Sequence, residues 1–473
     1  MAPAPGAVSS AATTPGGIAI ETRLTESGRA ALSAGLVLTV VAVAFEALAV
    51  PTAMPMIARE LGGRDAYGWA FSSFMLATIL GITAAGQHAD RRGPLASFVA
   101  GLALFALGLA VAGAAPGLAA LLAGRVLQGL GGGALSAVVY ACVGRAYPAE
   151  AQPRMLATLS SAWVLPALVG PGLAGVVTDH VGWRAVFFGL IPLLPLAGAL
   201  ALPSLRGLAR AEPQIGSGER RMRASAALAA GAALLLLALE LRPLPAALAC
   251  AAAGAGLALP GLTRLLPRGT LRLAAGLPAA VASMGVVSAA FFGAEALVPL
   301  LLVELRAQSA ALAGAALTSA SLAWTAGAWL QARFARTRSR RALVACGAAL
   351  IALAVAGIAS LLHAATPLAV AWLAWAVAGL GMGLAHATIS LTVLEEAEPG
   401  AEGFASSAMQ LAHALGVAAG AGLAGASVAA LEPGAGFGLA FAAMGGFALL
   451  ALAGALRLPG RAARLQTPRG ACE

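Results

Sequence analysis

The chain has 473 residues, of which 60% are hydrophobic and only 10% charged, against about 25% charged residues in soluble domains. A water-soluble fold has no place for that much apolar surface, so the chain reads as an all-α polytopic membrane protein whose backbone polar groups are satisfied within helices. The net charge of +10 does not point to nucleic acid, because every basic residue is an arginine and most sit in connecting segments; the four cysteines offer neither a disulfide framework nor a metal-ligand spacing.

Residues 1–30 are rich in Ala, Pro, Ser, Thr and Gly and read as a disordered cytosolic tail without a signal-peptide pattern. The first apolar run, 31–57, is long enough to cross a bilayer. It carries Glu46 in Phe45-Glu46-Ala47-Leu48-Ala49-Val50-Pro51. A carboxylate at membrane depth is costly, so its default reading is functional. Runs 67–86 and 95–114 flank the turn Gly86-Gln87-His88-Ala89-Asp90-Arg91-Arg92-Gly93. Run 118–144 holds Arg125, Gln128 and Tyr140. Run 155–178 holds Trp163 and the stretch Gly170-Pro171-Gly172-Leu173-Ala174-Gly175. Run 185–203 follows Trp183-Arg184 and completes an expected N-terminal six-helix bundle, 31–203.

A basic loop, 204–223, leads to runs 224–240 and 244–263. These are expected as two inserted helices within 224–265, or as one re-entrant hairpin turning at Glu240-Leu241-Arg242-Pro243. Runs 275–303, 309–332, 342–362, 366–393, 404–430 and 435–456 form an expected C-terminal bundle, 273–457, before a cytosolic tail, 458–473. The first of these carries Glu295, again just before a proline, Pro299. His386, Gln410, His413 and Trp324 are further polar or amphipathic groups within spans. The acids Glu395, Glu396, Glu398 and Glu402 are expected on a solvated face or at a helix cap.

The two halves repeat. Gly129-Leu130-Gly131-Gly132-Gly133 corresponds to Gly379-Leu380-Gly381-Met382-Gly383, and Gly172-Leu173-Ala174-Gly175 to Gly422-Leu423-Ala424-Gly425, both at an offset of 250 residues. Glu46 and Glu295 are 249 apart. Such internal symmetry is a mark of transporters whose substrate site lies between repeats. Arginine placement supports fourteen spans with both termini inside. On that topology 23 arginines fall in inside segments and 5 outside, as the positive-inside rule expects; twelve spans, with 224–263 as a re-entrant hairpin, give a similar split.

The turn with Gly86, Asp90, Arg91 and Gly93 resembles the cytoplasmic signature of the major facilitator superfamily, and the resemblance covers residues 31–457. The resemblance implies a conformational latch: Gly86 lets two helix ends approach, and Asp90 caps the next helix or pairs with an arginine. Arg125-Val126-Leu127-Gln128-Gly129 is similar to the family's fourth-helix motif, in which the arginine serves proton coupling. An alternative is that Arg125 snorkels to the membrane surface. Gly170, Pro171 and Gly175 resemble the antiporter motif, a small-residue seam with a proline kink. The first-span stretch around Glu46 resembles that of the fourteen-helix drug:proton antiporters, with Glu in place of the usual Asp.

The expectation is therefore a major facilitator fold: two six-helix bundles in pseudo-two-fold repeat, with two extra helices between them. Glu46, Arg125 and Glu295 are the expected proton-coupling and transport residues. Gln128, Tyr140, Trp163, Gln410, His413 and His386 are cavity candidates. The implied activity is proton-driven export of amphiphilic, cationic small molecules or drugs, without cofactor or metal, by a monomer in the bacterial inner membrane. A lipid or natural-product translocator of the same fold and a non-transporting membrane sensor are the alternatives. No nucleophile–base pair or phosphate loop suggests an enzyme.

Overall fold

A computed structural model describes residues 26–63, 67–148, 150–206, 218–241, 243–335, 337–398 and 401–460. Most of both expected tails (1–25 and 461–473), most of the basic loop 204–223, and the arginines at 64, 242 and 336 lie outside the described residues. Among the described residues the chain is helical, with no strand. In chain order the helices are α1 Glu26–Leu61, α2 Tyr67–Arg92, α3 Pro94–Gly113, α4 Leu118–Ala146, α5 Gln152–Ser161, α6 Val164–His180, α7 Arg184–Phe188, α8 Leu193–Leu205, α9 Gly218–Ala238, α10 Leu244–Leu265, α11 Leu277–Glu304, α12 Ala310–Phe334, α13 Arg340–Ser360, α14 Ala369–Glu395, α15 Glu402–Ala430 and α16 Pro433–Ala455.

The pairs α5–α6 and α7–α8 are each one crossing broken by a proline. Pro166 lacks an N–H for the Ala162 carbonyl and crowds it, so the helix ends at Ser161 and restarts at Val164. Pro192 acts likewise on Phe188, where α7 ends. Through Pro171, by contrast, α6 runs without interruption. The break in the fifth crossing therefore lies upstream of the antiporter-like stretch, not at its proline. Counted this way there are fourteen crossings. Thirteen are long and apolar enough to span a bilayer. The remaining one, α12, is 25 residues long and carries Thr318, Ser319, Ser321, Thr325 and Gln331.

Within each half, glycine decides which helices touch. A Cβ at Gly129 or Gly133 of α4 would collide with the carbonyls of Phe74 and Thr78 on α2, and one at Gly131 would come within 2.8 Å of the Phe105 Cα on α3. The C-terminal half repeats the pattern. Gly379 and Gly383 of α14 abut the Ala320 and Trp324 carbonyls of α12, and a Cβ on Gly381 would lie 2.6 Å from the Gly347 carbonyl of α13. Without a hydrophobic drive inside lipid, this close backbone contact is what holds membrane helices together. The contacts also refine the repeat. Phe74 matches Ala320 and Thr78 matches Trp324, an offset of 246, whereas α4 matches α14 at 250. The four extra residues lie between α13 and α14. Arg306 grips that loop through the carbonyls of Leu361 (3.1 Å) and Thr366 (2.7 Å).

Helices α9 and α10 pack on each other, and α9 leans on α2 and α15. Ser225 and Thr83 share a hydrogen bond of 2.9 Å, and the Trp69 indole donates to Glu240 at 2.9 Å. In α10 only 17% of the most apolar window is buried, against 89% in α11. The inserted pair is thus peripheral and its apolar side faces lipid, while α11 runs through the centre. Cys346 is exposed on α13 rather than packed in the interior, whereas Cys142 is buried.

Candidate functional site

At the centre of the N-terminal half, Glu46 of α1 is fully buried and Arg125 of α4 is 3% exposed. An Arg125 Nη1–H donates to the Glu46 carboxylate. Nη1 also donates to Gln128 Oε1 at 2.6 Å and Nε to the Ala70 carbonyl at 2.7 Å. The guanidinium carbon lies 4.4 Å above the Phe74 ring. Residues 125 and 128 share one face of α4, three positions apart. Arg125 is therefore embedded in the bundle and does not snorkel. A buried charge pair keeps its worth only when its remaining donors are satisfied. Here the arginine is held by carbonyl oxygens and a ring as well as by the carboxylate. The second Glu46 oxygen has no hydrogen-bond partner.

The centre of the C-terminal half is built differently. Glu295 of α11 is 7% exposed and makes no hydrogen bond or ion pair among the described residues. On α11 and the helices packed against it the half supplies rings. Phe292, Trp324, His386 and His413 form a closed circuit of neighbours, with centroid separations of 6.2, 5.6, 5.9 and 5.4 Å. Ser288 and the His413 Nδ1 share a hydrogen bond of 2.8 Å. Behind this circuit Phe291 stacks on Trp375 at 5.2 Å. The sequence flagged Glu295, Trp324, His386 and His413 singly. Phe291, Phe292 and Trp375 were missed, although the Phe pair three and four positions before Glu295 is the available signal.

The six cavity candidates fall in three places. Gln128 belongs to the Arg125 network, and His386 and His413 to the ring circuit. Tyr140, Trp163 and Gln410 do meet, lining a cavity of about 130 Å³ with Thr39, Val43 and Ser136. That cavity lies between the halves. Its lining residues lie in the parts of α1, α4 and α15 nearest the face where α1 begins and α16 ends, here the tail face. Beside it, a cleft of about 200 Å³ runs between α6 and α12, lined by Val164, Leu168, Ser321, Leu322, Thr325 and Trp329.

The opposite, far face is closed. Asp179, at the end of α6, accepts hydrogen bonds from the Ala310 and Ala311 N–H groups at 3.0 and 2.8 Å, capping α12 across the boundary between halves. Tyr67 donates to the Ala296 carbonyl (2.7 Å), Ser72 to Ala418 (2.7 Å) and Arg59 to Val303 (2.9 Å). Gly68 meets the Ala421 carbonyl, and its repeat mate Gly314 meets that of Pro171. Gly175 packs on Ala310, where a Cβ would sit 2.6 Å from the Ala311 Cα, while Gly170 makes only ordinary contacts with Phe45 and Leu48. The antiporter-like seam thus acts as the closing surface of the far face. Nearby, Glu60 accepts from Arg184 and from the Trp183 indole. Asp179 and Glu60 were not singled out by sequence; both lie at span ends, where acids are commonplace.

The expected latch differs in detail. Gly86 faces open space, with nothing within 4 Å of where a Cβ would be, so it brings no helix ends together in this state. Gly93 does the conformational work: its φ of 89° sits at the α2–α3 turn, a geometry that favours glycine. Arg145 donates to the Ala89 carbonyl at 2.9 Å, tying α4 to this turn. Arg91 is exposed, and the Asp90 side chain lies outside the described residues. In the acid cluster after α14, Glu395 is bound by both the Nε and Nη2 of buried Arg340, at 3.1 and 2.7 Å. It is a tie to α13, not a merely solvated face.

The family model of the Major Facilitator Superfamily matches residues 35–421. Multidrug resistance protein 3 of Bacillus subtilis is 32% identical over 168 residues, covering 36% of this chain and 32% of that protein. A probable multidrug-efflux transporter of Mycobacterium tuberculosis is 31% identical over 160 residues, 34% of each chain. The MFS-type transporter of the acurin A biosynthesis cluster of Aspergillus aculeatus is 33% identical over 144 residues, covering 30% of this chain and 26% of that one. The chain therefore matches about a quarter to a third of the length of these curated relatives. Among solved structures, a peptide transporter POT in complex with sulfate superposes with a TM-score of 0.67 over 90% of this chain and 94% of that one, at 19% identity, a likeness of fold alone. Helical crossings, repeated halves and a family match over most of the length agree, and the chain belongs to the Major Facilitator Superfamily as an all-α, multi-pass membrane protein.

Proposed function

We propose that the protein is a proton-coupled exporter of amphiphilic cations, working by alternating access of the cavity between its halves. The observation that carries this is the Glu46–Arg125 pair. A proton taken up by Glu46 removes the carboxylate's charge. Arg125 then keeps Gln128, the Ala70 carbonyl and the Phe74 face, so the pair can be broken without stranding a bare guanidinium. One buried carboxylate can thus exist in two charge states at tolerable cost, and each biases a different packing of α1 against α4. The names of the bacterial relatives support drugs as cargo. With the termini in the cytoplasm, the cavity near the tail face is the loading site, and the far face opens for release. One proton moving down 100 mV supplies about 2.3 kcal/mol, and each pH unit adds about 1.4 kcal/mol.

The test is a proteoliposome with an imposed proton gradient, to which a panel of lipophilic cations is added. Cargo-dependent proton flux in the wild type and its loss in Glu46→Gln is the expected result. Absence of flux with every cation sinks the reading.

A second reading, a lipid or natural-product translocator, is favoured by the apolar cleft between α6 and α12, through which a chain from the bilayer has a route to the cavity. Transfer of a fluorescent lipid between leaflets, without proton flux, is its signature.

A further inference from the structure

The two halves hold their acids in opposite ways. In the N-terminal half the chain itself supplies a cation: Arg125 occupies a site made of a carboxylate, two oxygen acceptors and an aromatic face. The 250-residue offset of α4 and α14 puts Trp375 where Arg125 stands and Ala378 where Gln128 stands. At the place of Arg125 the C-terminal half therefore has a ring and not a guanidinium, while its first helix keeps an acid, Glu295.

The rings are arranged as a box. Phe292, Trp324, His386 and His413 come from four different helices, α11, α12, α14 and α15, and each touches the next. All four are partly exposed, whereas Phe291 and Trp375 behind them are buried. Each of the four therefore keeps some free surface, and Phe291 packs behind Phe292 and Trp324 and stacks on Trp375. On α11, Ser288, Phe292 and Glu295 are spaced four and three apart, which places them on one stripe. Ser288 is the group that holds His413, so this stripe faces the box and carries Glu295 along its edge. An unpartnered carboxylate at membrane depth is expensive. A cation seated within about 6 Å of several ring centroids is attracted by their faces, and it also gives the acid a partner.

We propose that this box, with Glu295 at its rim, is the binding site for the positive charge of the cargo, and that it takes lipophilic quaternary ammonium or phosphonium ions. The cargo's cation then fills in the C-terminal half the role that Arg125 fills in the N-terminal half. The proposal rests on the exporter reading above and adds to it where the charge binds and which residues recognise it. Charge that is delocalised and shielded by hydrocarbon suits ring faces. A small, strongly hydrated ion would lose its water without replacement.

The experiment is binding of tetraphenylphosphonium to the purified full-length chain, read by calorimetry, with neutral triphenylphosphine oxide as the comparison. The variants are Glu295→Gln, Trp324→Leu and Trp324→Phe, each checked for unchanged elution and thermal midpoint. The expected result is that Glu295→Gln and Trp324→Leu each weaken phosphonium binding about tenfold or more, while Trp324→Phe stays within about threefold of wild type. Binding of the neutral oxide is expected not to respond to Glu295→Gln. If the variants bind phosphonium as the wild type does and export continues, the box is not the site, and the exporter reading stands. If Glu295→Gln binds normally but loses proton coupling, Glu295 is a proton site, and the proposal is overturned. If the wild type neither binds nor exports any lipophilic cation, the exporter reading fails and takes this proposal with it.

Discussion

The centres of the two halves occupy equivalent places in a repeated architecture, yet one is filled with charge and the other with rings. In the N-terminal half Glu46 and Arg125 neutralise one another within the chain, and Gln128 accepts a further hydrogen bond from the arginine. In the C-terminal half Trp375 replaces the arginine, and Glu295 lies one helical turn along α11 from Phe292, which joins Trp324, His386 and His413 in the ring circuit. The shared scaffold comes from the glycines of α4 and α14, which set the same helix crossings in both halves. The difference lies in the side chains pointing inward from that scaffold. Duplication thus conserved the packing and left the interior chemistry free to diverge, one half toward an internal ion pair and the other toward an open acid.

That contrast can be broken most forcefully at Arg125. Arg125→Leu leaves Glu46 buried and uncompensated, and a loss of about 3–5 kcal/mol is expected, read as a lower thermal midpoint in detergent. The double variant Glu46→Gln with Arg125→Leu is expected to recover much of that loss without recovering coupling. Glu295→Gln breaks no pair and should leave the midpoint where it is. A fall in stability as large as that of Arg125→Leu would show that the two centres are alike after all.

A smaller effect sharpens the scaffold side of the comparison. Gly383→Ala pushes a methyl group into the Trp324 backbone, and overpacking of this kind costs about 1–3 kcal/mol. It should also displace the Trp324 ring and weaken phosphonium binding. Gly133→Ala makes the corresponding clash with Thr78 in the N-terminal half. It should cost a similar amount of stability while leaving phosphonium binding unchanged. Equal binding defects in both variants would mean that cargo is shared between the halves.

Next comes the closure that joins them. Asp179→Ala removes a cap on α12 worth about 1 kcal/mol, so the far face should open more often, by roughly fivefold in population. Labelling of a cysteine introduced at Ala311 measures this directly, and an unchanged labelling rate would remove Asp179 from the gate. The smallest effect is expected at the rim: Glu219 and Arg223 pair on α9 while both remain largely exposed. Glu219→Gln should leave midpoint and transport unaltered, because water screens such pairs.

Much of this protein was legible from its residues. Apolar runs mark helices wherever a bilayer demands that backbone groups be satisfied locally, and the described helices fall on those runs, thirteen of them long and apolar enough to cross a bilayer. Glu46 and Arg125 stood out because charge within such runs is rare. The breaks at Ala162–Trp163 and Gly189–Pro192 follow from Pro166 and Pro192, but a run of hydropathy smooths over a single lost hydrogen bond. Gly86 misled because a glycine in a motif tells nothing of which conformation brings a neighbour close. The ring box was hidden more deeply. Its members are spread from Phe292 to His413, and in the N-terminal half the repeat pairs His413 with Trp163 but His386 with Ser136 and Trp324 with Thr78, so the circuit is not repeated.

What the sequence alone determined is the membrane-spanning class, the repeat and the presence of two intramembrane acids, since these depend on composition and periodicity along the chain. Only the tertiary structure decided that one acid is paired and the other open, that Asp179 closes the far face, and that four rings from four helices meet. Those facts depend on distances between residues far apart in sequence, which glycine-mediated helix crossings set and which no local pattern encodes.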